Sequence, residues 1–358
     1  YDQYKDVIAT LLPISLRQRY QLMERREMIK QMHWPTTPFV AKQAQKTAAY
    51  EEFFLFQLRL QAIRRAHRQD DGNQILYNNQ ELREFIKTIP FELTDAQKRS
   101  VNEICRDLRA PYQMNRLLQG DVGSGKTIVA ALAIAATVNA GYQAALMAPT
   151  EILAAQHAAK LADIFEGTHV SVGLLTGSMT AKQHKQLLNE IKAGTINLVV
   201  GTHALIQDKV DYANLGLAII DEQHRFGVRQ RQLLREKGEN PDVLAMTATP
   251  IPRTLAITTY GEMDVSIIDQ LPAGRKPIET RWLRENQSGA ALSFLKEQLA
   301  DGAQVYVVSP LIEQSESIDV KNATDLYEKF AEYFAPDYRV GLLHGRMSSD
   351  EKAAVMQQ

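Results

Sequence analysis

Gly120-Asp121-Val122-Gly123-Ser124-Gly125-Lys126-Thr127 is the stretch of sequence that decides the fold of this 358-residue chain. It fits the pattern G-x-x-x-x-G-K-[ST], follows the apolar pair Leu117-Leu118 and precedes the apolar, helix-length segment Ile128–Val138. In such a strand–loop–helix arrangement the glycines let backbone N–H groups turn toward phosphate oxygens, and the helix N-terminus adds its positive dipole end. The sequence therefore predicts a nucleotide site, in which Lys126 reaches the β and γ phosphates and Thr127 ligates Mg²⁺.

A pair of acidic residues follows a second apolar run. Asp221-Glu222 comes directly after Leu217–Ile220, which has the length and character of a buried strand. Ligands bind at the carboxyl ends of the strands in open α/β sheets, so Asp221 is predicted to hold Mg²⁺ and Glu222 to orient or deprotonate the attacking water. The alternative is an acidic helix start, because Asp and Glu also favour helix N-termini. The Gln223-His224 that follows favours the catalytic interpretation.

Short apolar runs alternate with helical segments between residues 89 and 275. The runs of strand length are Ala144–Ala148, Asn197–Gly201, Leu217–Ile220 and Val243–Thr247. Strands separated by helices are typical of a parallel sheet covered on both faces. We therefore predict an α/β fold for this region.

The region before this sheet, residues 1–88, has helical spacing. Phe53, Phe56, Leu60 and Ile63 fall on one face of a helix that also carries several arginines, and Asn79–Ile89 is predicted to form a second, shorter helix. Residues 1–70 hold 12 Lys and Arg against 7 Asp and Glu. A packed helix with a solvated basic face and an arm that touches DNA phosphate both fit this pattern.

A second unit is predicted to begin at residue 276, after a linker at Gly274-Arg275-Lys276-Pro277. It combines a helix around Ser293–Leu299, a buried-type strand at Val305–Ser309 and the end of another strand at Gly341–Gly345. So few strands would leave a small domain with an incomplete core. We therefore expect residues 276–358 to be the start of a longer domain.

The composition argues against several classes of protein. No apolar run approaches the ~18 residues that a membrane-spanning helix needs, and no signal peptide is visible, so the cytoplasm is the expected location. Cys105 is the only cysteine, which excludes an internal disulfide and a cysteine-based zinc site and favours a buried thiol. The formal net charge of −1 does not by itself indicate a nucleic-acid partner.

The order of the motifs resembles that of superfamily 2 helicases. Asp221-Glu222-Gln223-His224 is similar to their second motif, and Thr247-Ala248-Thr249-Pro250 to their third, which links the ATP site to the nucleic-acid track. Phe91, Thr94 and Gln97 match their adenine-recognition motif, F-x-x-T-x-x-Q. Thr94 and Gln97 also fit a capping box that opens the helix ending before Pro111, and the two interpretations are compatible.

Three further loops fit the same superfamily by their order and spacing. They are Ala148-Pro149-Thr150-Glu151, Thr176-Gly177-Ser178 and Gly201-Thr202-His203, each following a predicted strand. The resemblance implies that these loops present backbone N–H groups and hydroxyls to the phosphates of one nucleic-acid strand. Each loop alone is a common turn with little specificity.

Longer segments narrow the resemblance to two groups of bacterial DNA motors, the RecG family and the transcription-repair coupling factors. Residues 221–229 (DEQHRFGVR) and 247–254 (TATPIPRT) are similar to both groups. Residues 260–265 (YGEMDV), 268–278 (IDQLPAGRKPI) and 11–17 (LLPISLR) are more similar to the RecG family. The resemblance covers nearly the whole chain.

Membership of the RecG family would imply an ATP-dependent DNA helicase with two RecA-like lobes, the first at 89–275 and the second beginning at 276. It would act with ATP and Mg²⁺ on branched double-stranded DNA such as stalled forks and Holliday junctions, in recombination and repair, as a monomer in the bacterial nucleoid. Catalysis is then assigned to Lys126, Asp221, Glu222 and His224; phosphate contacts to Pro149, Thr150, Thr176, Gly177, Gly201, Thr202 and His203; and coupling to Thr247, Ala248, Thr249 and Arg253.

Three alternatives stay open at this point. A coupling factor would act on stalled RNA polymerase without a preference for forks. A P-loop phosphotransferase would hydrolyse ATP irrespective of DNA, but it leaves the segments after Asp221 unexplained. A binding module without catalysis is disfavoured by the intact Lys126, Asp221 and Glu222.

Parts of the family pattern are not recognisable in the sequence. The wedge domain that precedes the motor in that family is not recognisable before Tyr1, so residues 1–88 are predicted to be the helical linker that follows it. The fifth and sixth motifs are also missing, although His344-Gly345-Arg346-Met347 matches the stretch before them. The sixth motif carries an arginine, and such arginines contribute about 10³–10⁵ in rate to phosphoryl transfer. We therefore expect this chain alone to bind ATP weakly and to hydrolyse it poorly.

Overall fold

The computed structural model describes residues 1, 3–67, 72–249, 263–272, 278–284, 287–308, 316–345 and 347–357. The chain divides into two compact units, Tyr1–Arg275 and Lys276–Gln358. The predicted linker residues 274–277 and the coupling residue Arg253 lie outside the described residues, as does the whole segment 250–262.

The first unit begins with four helices. They are α1 (Ile14–Tyr20), α2 (Arg25–His33), α3 (Pro38–His67) and α4 (Asn79–Thr88). α2 packs against one face of α3, where Ala44 is fully buried, the Met23 amide donates to Thr47 Oγ1 at 3.0 Å, and Arg25 lies 3.1 Å from Glu51. The shorter predicted helix at Asn79–Ile89 is confirmed as α4.

Of the two interpretations of this helix, the one in which its apolar face is packed is wrong for α3. Phe53 is 61% exposed and Ile63 is 42% exposed, and Phe56 is exposed as well. α2 instead covers the face that carries Ala44, Thr47 and Glu51. Helical spacing shows which side chains share a face, but whether another element covers that face depends on contacts that the spacing does not contain.

Within the described residues, seven strands form one parallel sheet in the order β3-β4-β2-β5-β6-β1-β7. The strands are β1 (Asn115–Gly120), β2 (Gln143–Met147), β3 (Val172–Leu175), β4 (Leu198–Gly201), β5 (Leu215–Ile220), β6 (Asp242–Thr247) and β7 (Asp264–Ile268). The connecting helices are α5 (Asp95–Leu108), α6 (Lys126–Asn139), α7 (Glu151–Ile164), α8 (Ala181–Ala193) and α9 (Val228–Arg235).

The sheet is buried on both faces. Along β5, Leu217 and Ile219 belong to one core cluster, whereas Ala218 and Ile220 belong to a second cluster on the opposite face. This alternation is the period of two of an extended strand, and it accounts for the continuous apolar runs in the sequence. The α/β prediction is confirmed: the fold is a RecA-like parallel sheet with flanking helices, and each predicted strand of this region lies within one residue or two of an observed one.

The second unit contains three helices among its described residues, α10 (Ser288–Ala300), α11 (Glu316–Phe334) and α12 (Ser349–Gln357). The helix predicted around Ser293–Leu299 is confirmed. The predicted strand at Val305–Ser309 is wrong for its described residues 305–308, and the predicted strand end at Gly341–Gly345 is wrong too. A strand needs a hydrogen-bonded neighbour, and the described residues of these two segments join no sheet. The side chain of Val308 is 86% exposed.

Two predictions from composition can be checked against the structure. Cys105 is buried, as the sequence indicated. Among the residues that the structure describes, no helix is both long enough and apolar enough to cross a bilayer.

Candidate active site

The predicted site residues meet at one edge of the sheet. Because all seven strands are parallel, their carboxyl ends lie on the same side, where ligands bind in folds of this class. The Gly120–Thr127 loop follows β1, the Pro149-Thr150 segment follows β2, Asp221 follows β5, and Thr247 ends β6.

The loop after β1 is held in a conformation that requires glycine. Gly125 has φ +92°, and a Cβ at this position would lie 2.2 Å from Gln97 Nε2. Lys126, the first residue of α6, donates through Nζ to the carbonyl oxygens of Gly120 at 2.6 Å and Asp121 at 3.0 Å. Burial lowers the pKa of the Lys126 ammonium, and the nearby carboxylates of Asp221, Glu222 and Asp121 oppose that shift. The loop therefore places its cation beside the acidic pair.

The predicted capping box at the start of α5 is confirmed. Thr94 Oγ1 accepts from the Gln97 amide at 3.2 Å, and Gln97 Oε1 accepts from the Thr94 amide at 2.9 Å. Gln97 Nε2 also donates to the Ser124 carbonyl at 2.8 Å, which joins the cap to the phosphate loop. Each polar atom of the buried Gln97 side chain thus makes one hydrogen bond within the protein, and the amide keeps a second N–H donor and a second acceptor lone pair for an adenine edge. Phe91 is 53% exposed and leaves a ring face free to stack on a base.

The acidic pair occupies the turn after β5. The Asp221 amide donates to the Met147 carbonyl at 2.9 Å, and Asp221 Oδ2 lies 2.7 Å from His157 Nε2. Glu222 adopts a left-handed conformation, with φ +48°, before the short 3₁₀ turn Gln223–Arg225. Because the next α-helix begins only at Val228, the pair is not an acidic helix start.

The donor set near Lys126 fits Mg²⁺. Thr127 is half-buried in the first turn of α6, and the Asp221 and Glu222 carboxylates interact electrostatically with Lys126. Glu222 Oε2 is buried and accepts no hydrogen bond, although His224 Nδ1 lies 3.5 Å away. Among the described residues no cluster of three or more His, Cys, Asp and Glu side chains could cage a metal. Mg²⁺ needs no such cage, since one or two carboxylates plus substrate phosphates commonly hold it.

The loops predicted to contact phosphate differ in accessibility. Thr150, Gly177 and His203 are exposed and Pro149 is half-buried, whereas Thr176 and Thr202 are buried. The Thr150 hydroxyl caps α7 by accepting from the Leu153 amide at 3.3 Å. The accessible groups therefore come from the loops that follow β2, β3 and β4.

The close packing of β4 against β3 leaves no room for a side chain at Gly201. A Cβ at this position would lie 2.4 Å from the Leu175 carbonyl oxygen at the end of β3. The residue is buried, so in this conformation the close approach of two neighbouring strands explains it without a ligand.

The third-motif residues stand at the end of β6. Thr247 is 2% exposed, and its hydroxyl accepts from the Thr249 amide at 3.2 Å. Ala248 is half-buried and Thr249 is exposed. This arrangement directs the chain from the buried sheet toward the surface at the edge where the acidic pair lies.

The sequence of this chain is similar to those of known helicases. Residues 94–257 match the DEAD/DEAH box helicase family. ATP-dependent DNA helicase RecG of Bacillus subtilis is 53% identical over 357 residues, which are 99% of this chain and 52% of that protein. RecG of Streptococcus pneumoniae is 54% identical over 359 residues, 100% of this chain and 53% of that protein. The chain is similar to RecG over nearly its whole length. It spans about half the length of these curated relatives.

Solved structures agree with the sequence relatives. RecG bound to a three-way DNA junction superposes with a TM-score of 0.79 at 39% identity, covering 98% of this chain and 46% of that one. The DEAD-box helicase Mss116, bound to single-stranded RNA and a nucleotide analogue, gives 0.58 at 18% identity over 78% of this chain and 61% of its own. The likeness to Mss116 shows the fold alone, whereas the likeness to RecG confirms the resemblance predicted from the sequence.

Two side chains at this site were not predicted individually from the sequence. His157 contacts Asp221, and Glu151 Oε1 accepts from the Gly177 amide at 2.9 Å. His157 stands seven residues after Thr150, two helical turns along α7 and on the same face. That spacing was the only indication in the sequence that this histidine faces the site.

Proposed function

We propose that this chain provides the ATP-hydrolysing part of a RecG-type motor, which remodels branched double-stranded DNA in recombination and repair. The observation that carries the proposal is the placement of Lys126 beside Asp221 and Glu222 at the carboxyl edge of the sheet, in a chain that is 53% identical to RecG of Bacillus subtilis over 357 residues. The proposal is also supported by the solved RecG relative, which is bound to a three-way DNA junction.

ATP binding is assigned to the loop after β1 and the start of α5. Backbone N–H groups of Gly120–Thr127 would surround the phosphates, and the Lys126 ammonium would leave the loop carbonyls to meet the β and γ phosphates. Phe91 would stack on the adenine, with Thr94 and Gln97 fixing the loop from behind. The partial burial of Lys126 strengthens its interaction with phosphate, because fewer waters screen the charge.

Hydrolysis is assigned to the acidic pair. Thr127 and Asp221 would hold Mg²⁺, which neutralises charge on the phosphates and on the transferring group. Glu222, whose Oε2 accepts no hydrogen bond, would take a proton from the attacking water or orient that water. His224, 3.5 Å from that oxygen, would keep the carboxylate in place.

DNA contact is assigned to the loops after β2, β3 and β4. The exposed residues of these loops, Thr150, Gly177 and His203, would make the main contacts. Phosphate contacts carry no base information, so the motor would select DNA by shape rather than by sequence. The Thr247–Thr249 segment and Arg253 would couple this track to the ATP site. We further propose that residues 1–88 form a linker, that 276–358 begin the second lobe, and that the motor acts as a monomer in the bacterial cytoplasm.

The ATPase rate on different DNA structures tests this proposal. With the full-length protein we expect a fork to stimulate hydrolysis more than a linear duplex of equal length and composition, and Lys126→Ala to abolish hydrolysis on both. Equal stimulation by both DNAs, together with displacement of stalled RNA polymerase, would favour a coupling factor. Hydrolysis indifferent to DNA would favour a phosphotransferase.

A further inference from the structure

The Asp221 carboxylate is held by a histidine from another element. His157 Nε2 lies 2.7 Å from Asp221 Oδ2, and the two side chains are only 15% and 11% exposed. An ionised carboxylate can only accept hydrogen bonds, so the ring nitrogen is the donor. With one oxygen fixed in this way, the other oxygen remains for a cation.

The histidine stands on a rigid support. α7 begins at Glu151 under the Thr150 cap, and it buries Ala154, Ala158 and Leu161 against the core. The same part of the fold also holds the backbone of Asp221, because the Asp221 amide donates to Met147 at the end of the strand that leads into α7. Asp221 is therefore tied to the β2–α7 segment through both its main chain and its side chain.

We infer that His157 is a positioning residue that sets the orientation of the Asp221 carboxylate toward Mg²⁺. The inference rests on the proposed function, since it needs Asp221 to be the metal-binding acid. A carboxylate free to rotate must be ordered before it binds a metal, whereas a carboxylate held by a hydrogen bond is already ordered. Hydrogen bonds to metal-binding groups of this kind typically change metal affinity by about 10–100-fold.

The test is the Mg²⁺ dependence of nucleotide binding by the full-length protein, followed with a fluorescent ATP analogue. His157→Ala is compared with His157→Gln, whose amide donor can replace Nε2–H, and with His169→Ala, an exposed histidine away from the contact. We expect His157→Ala to bind the analogue like the wild type in EDTA, but to need about 10–100-fold more Mg²⁺ for half-maximal enhancement. His157→Gln should recover most of the difference, and His169→Ala should match the wild type.

Failure of the positioning role and failure of the proposed function give different results in this experiment. If His157→Ala keeps the wild-type Mg²⁺ requirement within two-fold, the positioning role is wrong. If it loses affinity equally with and without Mg²⁺, or if His157→Gln folds normally but recovers nothing, the histidine is structural and the inference is overturned. If the wild type binds no nucleotide, or binds it without regard to Mg²⁺, the proposed function itself fails and the inference fails with it.

Discussion

The backbone amide of Gly177 donates a hydrogen bond to Glu151 Oε1 at 2.9 Å. This contact joins the loop after β3 to the first residue of α7, so two of the loops proposed to contact DNA are held together. It also places a carboxylate next to an amide that a DNA phosphate would approach. If DNA contacts this loop as proposed, the charge of Glu151 would oppose binding at this point, while its hydrogen bond orders the loop.

Glu151→Gln separates the two effects, because glutamine keeps an acceptor oxygen and loses the charge. Glu151 is half-buried at the surface, and removing one like charge at such a position is worth about 0.2–1 kcal/mol, so we expect DNA affinity to rise up to about five-fold at low salt. The gain should shrink as salt is raised, since salt screens exposed charges. Anisotropy of a labelled fork measures the affinity, and unchanged or weaker binding by Glu151→Gln would show that Glu151 does not face the phosphates.

Gly125→Ala should disable the nucleotide site. The alanine would have to adopt φ +92° and its Cβ would lie 2.2 Å from Gln97 Nε2, so the phosphate loop and the α5 cap could not both keep their places. Gly141→Ala is a matched control, because Gly141 has φ +85° but an added Cβ there would meet no atom within 4 Å. Both variants should lose about 1–2 kcal/mol from the left-handed backbone. Only Gly125→Ala should lose ATP-analogue binding; equal binding by the two would contradict this account.

Arg116 is expected to be a major contributor to stability. It is buried in β1, lies 2.7 Å from Asp107 of α5, and donates to Ser266 of β7 at 2.9 Å. Arg116→Ala would leave a buried carboxylate without this cation, which typically costs about 3–5 kcal/mol. Urea denaturation measures the loss.

Arg99 forms an exposed ion pair whose contribution to stability can be compared with that of the buried Arg116. It also joins α5 to the end of β7, through Asp269 at 2.8 Å, but both of these side chains are largely exposed. Arg99→Ala should therefore cost no more than about 1 kcal/mol. Similar losses of unfolding free energy in the two variants would show that burial does not control the strength of these ion pairs.

Asp242 should make the stability of the protein depend on pH. Burial raises the pKa of this carboxyl well above its ordinary value, although the hydrogen bond from the Met114 amide at 2.6 Å opposes the shift. A carboxyl group whose pKa is raised in the folded state contributes its full stabilisation at pH values below its unfolded pKa of about 3.9. This contribution is lost as the pH rises through the pKa of the folded state.

Asp242→Asn keeps an acceptor for Met114 and cannot ionise. We therefore expect its free energy of unfolding, relative to the wild type, to rise as the pH is raised from 5 to 8. Urea denaturation at both pH values checks this expectation. A difference between the two proteins that is independent of pH would mean that Asp242 ionises in the folded state as readily as in the unfolded state.

The sequence could predict the parts of this molecule that depend on neighbouring residues. The phosphate loop, the Thr94–Gln97 capping box and the buried strands are local patterns, and each was found where it was expected. β7 was missed because it pairs only with β1 at the edge of the described sheet and carries Asp264 and Ser266, so its apolar run is interrupted.

Contacts between distant residues could not be predicted in the same way. His157 and Asp221 are 64 positions apart, and Arg116 and Ser266 are 150 apart, so no spacing rule connects them. The errors have the same origin: the exposed Phe53 and Val308 belong to apolar patterns whose burial depends on an element elsewhere in the fold. A pattern indicates what a segment can bury, whereas the partner that covers it is a property of the whole structure.

Junction remodelling by full-length Glu222→Gln, compared with the wild type, tests the central claim most directly. The account predicts that the variant binds ATP and a three-way junction as the wild type does, because Lys126 and the DNA loops are intact. Hydrolysis and branch migration should both fall by at least about 100-fold, since the proton acceptor for water is lost. Remodelling at the wild-type rate by Glu222→Gln would contradict the assignment of this sheet edge as the motor's catalytic centre.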